Sequence, residues 1–370
     1  MLTRELTDAE TTLLQLLRYA LCDEAEAPVI TAATEWETIF RLSQSEGVAQ
    51  IVWHGVERLM AEGRIASEHL PTKRIKLQWA YHNDSLERRY KQQKRVISTL
   101  ATTLCNKGAN ILLLKGYGLS ICYPRPEERT SSDVDIYLLG NQELGNEILE
   151  RELGIAVDNT KHLHTTFKLE GIMVENHFDF LNIYSHRSNR AIDTLLKELT
   201  EESVPLALDS ETIYIPSVKF NSLYLLRHAA SHFAAVEIVL RHIVDWAMFI
   251  KCHAQEIDWE WLRTTARRYN MESFLDVLNS LSWSICGIDP NLTPGTTPHP
   301  ELEERILRDI LSPEFDERER QGSILKVIGF KLRRWWAHRW KHRMVYSDSL
   351  VSIFINQIWS HILKPNNLKK

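Results

Sequence analysis

Two aspartates stand one residue apart in "SSDVDIYLL", where Asp133 and Asp135 flank Val134 and lead into an apolar run. No other feature constrains the fold as tightly, because a period of two inside an apolar run marks a strand. Alternate residues of a strand share a face, so both carboxylates project together while Val134 and Ile136 meet packing partners. Two like charges a few ångströms apart destabilise each other unless a cation or a shared proton neutralises them. Three readings follow. The pair holds a hard divalent ion such as Mg²⁺, or shares a proton as a dyad, or lies solvated on an exposed edge strand. Dyads usually draw their partners from separate loops, which favours the metal.

The residues upstream sharpen this. "NILLLKGYG" reads as a buried strand ended by Gly116, with Gly118 where a helix would begin. Free backbone N–H groups and the helix dipole at such a point attract phosphate, and Lys115 adds a point charge suited to a triphosphate. A K-G-x-G turn alone fits any α/β protein. Strand, glycine turn, short helix, loop and D-V-D on the next strand is more specific, because phosphoryl or nucleotidyl transfer needs a phosphate cradle beside a metal platform. On "IMVENHFDF", Glu175, His177 and Asp179 alternate onto one face, away from Val174 and Phe178. A third carboxylate would complete a second metal site and accept the proton of an attacking hydroxyl. Glu175, placed mid-strand by its apolar flanks, is the choice, and Asp179 the fallback. His177 fits a metal ligand, a substrate partner or a buried structural histidine.

Around this core the chain reads as helix. Residues 1–108 form an N-terminal helical region, with Leu14, Leu17 and Leu21 at helical spacing and a long charged helix from Tyr81 to Lys107 ending at Gly108. Residues 109–215 form an α/β core: strand, helix, strand, helix ("NQELGNEILERELGI"), then a hairpin turning at Glu170-Gly171. Residues 216–370 return to helix, interrupted by the loop "GIDPNLTPGTTPHPELEE" and ending in "SILKVIGFKLRRWWAHRWKHRM" and "SLVSIFINQIWSHIL". The fold class is therefore α+β, a mixed sheet between two helical regions. At 370 residues with 44% apolar and 25% charged, the chain suits two or three globular domains. A net charge of −5 gives no global attraction to nucleic acid or anionic lipid. Five scattered cysteines without a C-x-x-C pair argue for a reducing compartment and against a thiolate zinc site. The amphipathic N-terminus is not a secretory signal, and no apolar run reaches 18 residues, so a soluble cytoplasmic protein is expected.

Together "LLLKGYGLSICYPRPEERTSSDVDIYLL" and "VENHFDF" resemble the DNA polymerase β-like nucleotidyltransferase superfamily. More closely, the chain is similar to a bacterial family of uncharacterised nucleotidyltransferases. The likeness lies in Leu114-Lys115-Gly116, Tyr123-Pro124, Arg129, Asp133-Val134-Asp135 and Glu175-Asn176-His177, and extends to His228, His232, Arg241 and Asp245. It implies a five-stranded mixed sheet flanked by helices, two Mg²⁺ ions binding an NTP, and transfer of its NMP group to an acceptor hydroxyl. Asp133, Asp135 and Glu175 would be the catalytic, metal-binding residues. Lys115, Gly116, Arg129, Ser132 and His177 would hold the nucleotide. Two departures from the superfamily stand out: Tyr117 replaces the usual serine of the turn, unless Ser120 reaches the phosphate, and a longer loop carrying Arg129 precedes Asp133. The acceptor stays open among protein, RNA and small molecules. The alternative is a catalytically inactive nucleotide-binding or protein/RNA-interaction module that keeps the fold.

Two features lie outside the core. His228 and His232 sit at i, i+4 on a helix and could share zinc, but no third ligand is evident, so packing or an edge contact to the site is the plainer reading. Arg241 and Asp245, also at i, i+4, would pair on a helix surface or, following the family likeness, serve at the cleft. Residues 331–343 interleave arginines with Trp335, Trp336 and Trp340. Such a stretch suits an RNA or acidic protein partner or anionic lipid. The favoured reading is an amphipathic helix that docks its tryptophans while its arginines reach water.

Overall fold

The computed structural model describes residues 5–235, 238–313, 315 and 324–348. Helices α1 (Asp8–Leu21), α2 (Trp36–Ser45), α3 (Ala49–Ala61) and α4 (Lys73–Leu104) come first. Next are β1 (Leu112–Leu113), α5 (Lys115–Ser120), β2 (Asp133–Tyr137), α6 (Gln142–Leu153), β3 (His164–Leu169), β4 (Ile172–His177), α7 (Arg187–Leu199), β5 (Val204–Leu208) and β6 (Glu211–Ile215). Helices α8 (Val218–Ala235), α9 (Leu240–His253), α10 (Trp259–Arg268), α11 (Glu272–Cys286), α12 (Pro300–Leu311), α13 (Ile324–Ala337) and α14 (Arg339–Val345) follow. None is long and apolar enough to cross a membrane.

The architecture is α+β, with a six-stranded mixed sheet in the order β3-β4-β2-β1-β6-β5. β2 runs parallel to β4 and antiparallel to β1, and β1 runs parallel to β6. The five strands implied by the family likeness are thus six. The β5–β6 hairpin extends the sheet beyond β1, turning at Asp209, which adopts φ 52°.

Alternation along the strands separates two environments. Val134 and Ile136 of β2, Val174 of β4 and Leu113 of β1 are buried against Val96, Ile97, Leu100 and Leu104 of α4 and Ile148 and Leu149 of α6. The opposite face carries Asp133, Asp135, Glu175 and His177, and there α8 roofs the sheet through Phe220 and Tyr224, which pack on Phe180. α4 begins at Lys73, eight residues before the sequence pattern places it, capped by Thr72, whose hydroxyl accepts from the Ile75 N–H at 3.5 Å. Its first turns bury Ile75 and Trp79 among α2 and α3, and its last turns cover the sheet. The helices preceding and following the sheet share one core, in which Leu13, Leu16 and Leu17 of α1 join Phe274, Leu278 and Leu281 of α11.

The tryptophan- and arginine-rich stretch breaks at His338 between α13 and α14. Trp340 packs under the Arg305 guanidinium at 3.7 Å and edge-on to Phe233. Lys341, 1% exposed, pairs with buried Asp309, whereas Arg333, Trp336 and Arg343 face outward. The last expected helix, "SLVSIFINQIWSHIL", lies outside the described residues.

Candidate active site

The floor of the site is built by β2 and β4. Their parallel register sets Asp135 opposite Glu175 and Tyr137 opposite His177. Asp135, 2% exposed, accepts at Oδ1 from Lys115 Nζ at 3.3 Å and faces His177 Nε2 at 3.0 Å. Burial would push its carboxyl up, but the Lys115 charge and the His177 contact prevail and hold it well below the usual carboxylate range. Lys115 is held correspondingly above the usual lysine range: burial opposes its charge and Asp135 outweighs that. His177 Nε2 also lies 3.7 Å from Glu175 Oε2, so one imidazole spans both carboxylates. Burial, then the neighbouring Asp135 charge, raises the Glu175 carboxyl. His164 of β3 approaches Glu175 Oε1 at 3.4 Å, and burial lowers its imidazole to about 3, so it is neutral there. Asp133 is half-exposed at the strand entrance, where the Ser131 hydroxyl meets its Oδ1 at 3.2 Å.

Gly116 closes the turn after β1 with φ 45° and ψ −120°, a conformation open to glycine alone. A Cβ there would stand 3.3 Å from Ser131 Oγ and 3.7 Å from Asp135 Oδ2, filling the space between the turn and the carboxylate. Tyr117 stacks on Tyr90, 4.7 Å between centroids and 16° between planes. Buried Ser120 donates to the Tyr117 carbonyl at 2.7 Å and lies 3.2 Å from the Tyr90 hydroxyl. Both side chains are thus engaged behind the turn.

The loop before β2 is fastened from two sides. Buried Gln93 of α4 donates to the carbonyls of Ser131 and Asp133 at 3.2 and 3.1 Å. From α9, Asp245 takes the Arg129 fork at 3.0 and 2.9 Å and the Tyr123 hydroxyl at 2.6 Å, all buried. Arg129 therefore points Nε and Nη2 at Asp245, leaving Nη1 toward Gly116 and the Thr130 carbonyl. Arg241 donates to that carbonyl at 2.7 Å. Arg241 and Asp245 are thus not a helix-surface pair: each reaches across to this loop.

The roof carries histidines. His228 and His232 of α8 meet His242 of α9, with ring centroids 4.5, 5.4 and 6.1 Å apart. His228 Nε2 lies 3.2 Å from Lys115 Nζ. The third imidazole, not evident from the sequence, is His242 beside Arg241. Its nearness to the i, i+4 pair depends on how α9 turns back along α8.

Between floor and roof are two adjoining cavities that share Lys115, His228 and His232 in their walls. The smaller, about 460 Å³, is lined by Gly116, Arg129, Ser132, Asp133, Asp135 and Arg241, among others. The larger, about 670 Å³, holds Glu175 and His177, with Tyr224, Asn189, Trp335 and Tyr346 further out. The expected residues thus gather at one cleft. Asp179 does not: it lies past the end of β4 and pairs with Lys197 of α7. His164 and His242 join the cleft without having been singled out. A β3 position facing β4, at register His164↔His177, was the one local signal for the former.

The donor set fits a hard divalent cation. Asp133 and Asp135 share a face, Glu175 stands opposite in register, and the side-chain-free Gly116 leaves Asp135 Oδ2 room. Against known families, residues 32–282 match the model described as uncharacterised nucleotidyltransferase. No curated protein and no solved structure matches the chain.

Proposed function

The chain belongs to the family of uncharacterised nucleotidyltransferases, and we propose that it moves the nucleotidyl group of an NTP onto an acceptor hydroxyl with the help of Mg²⁺. The observation that supports this most is the register pairing of Asp135 with Glu175 beside Asp133, facing the Gly116 turn. Asp133, Asp135 and Glu175 would hold the ions, which supply charge neutralisation at the phosphates when bound. The remaining work falls to the chain's own side chains. Lys115, kept charged by Asp135, fixes a positive point between the two cavities. The triphosphate lies in the smaller cavity, along Gly116 and Ser132. The acceptor enters the larger one, where Glu175 receives its hydroxyl proton. His177 orients Asp135 and Glu175 by touching both. Arg129 holds its loop against Asp245 and keeps Nη1 at the phosphate side. The nucleophilic oxygen bonds the α-phosphorus, the α–β bridge breaks, and pyrophosphate leaves.

The test is pyrophosphate release with Mg²⁺, labelled NTPs and a panel of protein, RNA and small-molecule acceptors. Asp135→Asn is expected to slow release by ~10³-fold, since several kcal/mol of charge stabilisation are lost. Release that survives this substitution would sink the assignment.

A further inference from the structure

We propose that the α8–α9 wall of the smaller cavity is a polyphosphate subsite, in which Arg241, His228, His232 and His242 receive the pyrophosphate end of the NTP. This rests on the transferase reading and deepens it, by adding a second wall to the phosphate grip.

Arg241 is the first ground. It lines the cavity, gives one N–H to the Thr130 carbonyl, and forms no ion pair among the described residues. The carboxylate nearest on its own helix, Asp245, is already taken by the Arg129 fork. A half-buried guanidinium that makes no direct ion pair among the described residues, and shares the Asp245 charge with Arg129, leaves room for an anion in the cavity it faces.

The histidines are the second. Three imidazoles with centroids 4.5 to 6.1 Å apart have the spacing of a zinc site. The charges around them decide otherwise. Lys115 of α5 stands 3.2 Å from His228 Nε2, and Arg241 of α9 adjoins His242 in sequence. Both repel a metal ion and attract a phosphate. The opposing carboxylates are Asp245, engaged by Arg129, Glu46, whose carboxylate accepts from the Leu240 N–H at 3.0 Å, and Asp133, Asp135 and Glu175 on the floor, where cations bound with the nucleotide would sit.

The turn supplies the third. Tyr117 and Ser120 are engaged behind it with Tyr90, so no hydroxyl of α5 reaches over the cavity. The donors missing from the turn stand on the facing wall instead. In the transfer, the electron pair of the broken bridge leaves with pyrophosphate. The wall receives that added charge while the acceptor's proton goes to Glu175.

Titration gives the subsite a signature. Enclosure in the cleft, followed by the Lys115 and Arg241 charges, lowers His232 to about 4. Enclosure and then Arg241 lower His242 to about 3, with Asp245 opposing. The free wall is neutral at its imidazoles, and a bound polyphosphate draws protons onto them, so the wall's share of the affinity rises as pH falls.

The experiment is calorimetric titration of the full chain with pyrophosphate alone, metal-free, at pH 8 and pH 6.5. His232→Asn is the main variant, because His232 lines both cavities and makes no hydrogen bond among the described residues. Arg241→Gln is the second. One site is expected, weakened ~10-fold by either substitution and not weakened by Asp135→Asn, with a pH 6.5 to pH 8 affinity ratio larger in the unsubstituted chain than in His232→Asn. Three results overturn the proposal: no pyrophosphate binding, an affinity in both wall variants equal to that of the unsubstituted chain, or one tightly bound zinc that His232→Asn releases. Transferase activity with unchanged pyrophosphate inhibition in both variants would overturn the subsite and leave the transferase standing. Pyrophosphate bound at the wall of a protein that transfers nothing would do the reverse.

Discussion

Glu128 shows what burial does to a single charge in this protein. Its carboxylate is 5% exposed, 3.6 Å from both His54 Nδ1 and Arg125 Nη1, and burial, opposed by Arg125, carries it from 4.5 up to about 7. The native state therefore holds this proton more readily than the unfolded chain does. The resulting stability is fully present below pH 4.5 and is lost as pH rises toward 7. Glu128→Gln, a neutral mimic of the protonated side chain, is expected to raise Tm by about 2–4 °C at pH 8 and by less at pH 5. Scanning calorimetry at both pH values checks this, and an equal gain at both would contradict it. The side chains of the candidate site were legible because their message is local. Period two puts Asp133 with Asp135, and Glu175 with His177, whatever the rest of the chain does. Arg129 was legible as a cleft residue but not as Asp245's partner, since the two are 116 positions apart.

Among elements, the loop between α5 and β2 is the one whose shape is imposed from outside. Asp245 neutralises Arg129 and accepts from Tyr123 in a buried cluster, so losing the carboxylate strands a guanidinium without a counter-ion. Asp245→Asn is expected to cost ~3–5 kcal/mol, while Tyr123→Phe removes one hydrogen bond and costs ~1 kcal/mol. Urea unfolding of the two variants measures the difference, and near-equal losses would show that the ion pair is not the main fastening. Four of the six strands, β1 to β4, lay in segments whose pattern shows them. The exception in pairing is β5–β6, where Pro205 breaks the strand signature and Val204, Pro205 and Ala207 are exposed. Proline is tolerated there because β5 is an edge strand, and one half in water has little apolar alternation to read. The start of α4 was equally faint, since only Ile75 and Trp79 anchor its first turns.

Across the whole molecule, the helices from both ends of the chain close on one another, and no local pattern announces that. α1 precedes the family-matched residues 32–282, yet it buries Leu13, Leu16 and Leu17 against α3 and α11. Leu16→Ala is expected to cost ~2–5 kcal/mol, the range for truncating a fully buried leucine. Denaturant unfolding followed by circular dichroism tests it, and a loss below 1 kcal/mol, roughly the cost of a single methylene, would mean that α1 is dispensable to the core. The Asp245 clasp matters at this scale too. It ties α9 in the roof to the loop that leads into β2 in the floor, so the spacing between the two is settled when the chain folds. A ligand entering such a cleft need not bear the entropy of drawing its walls together. The protein is preorganised: recognition there is a matter of fit, with the ordering already complete.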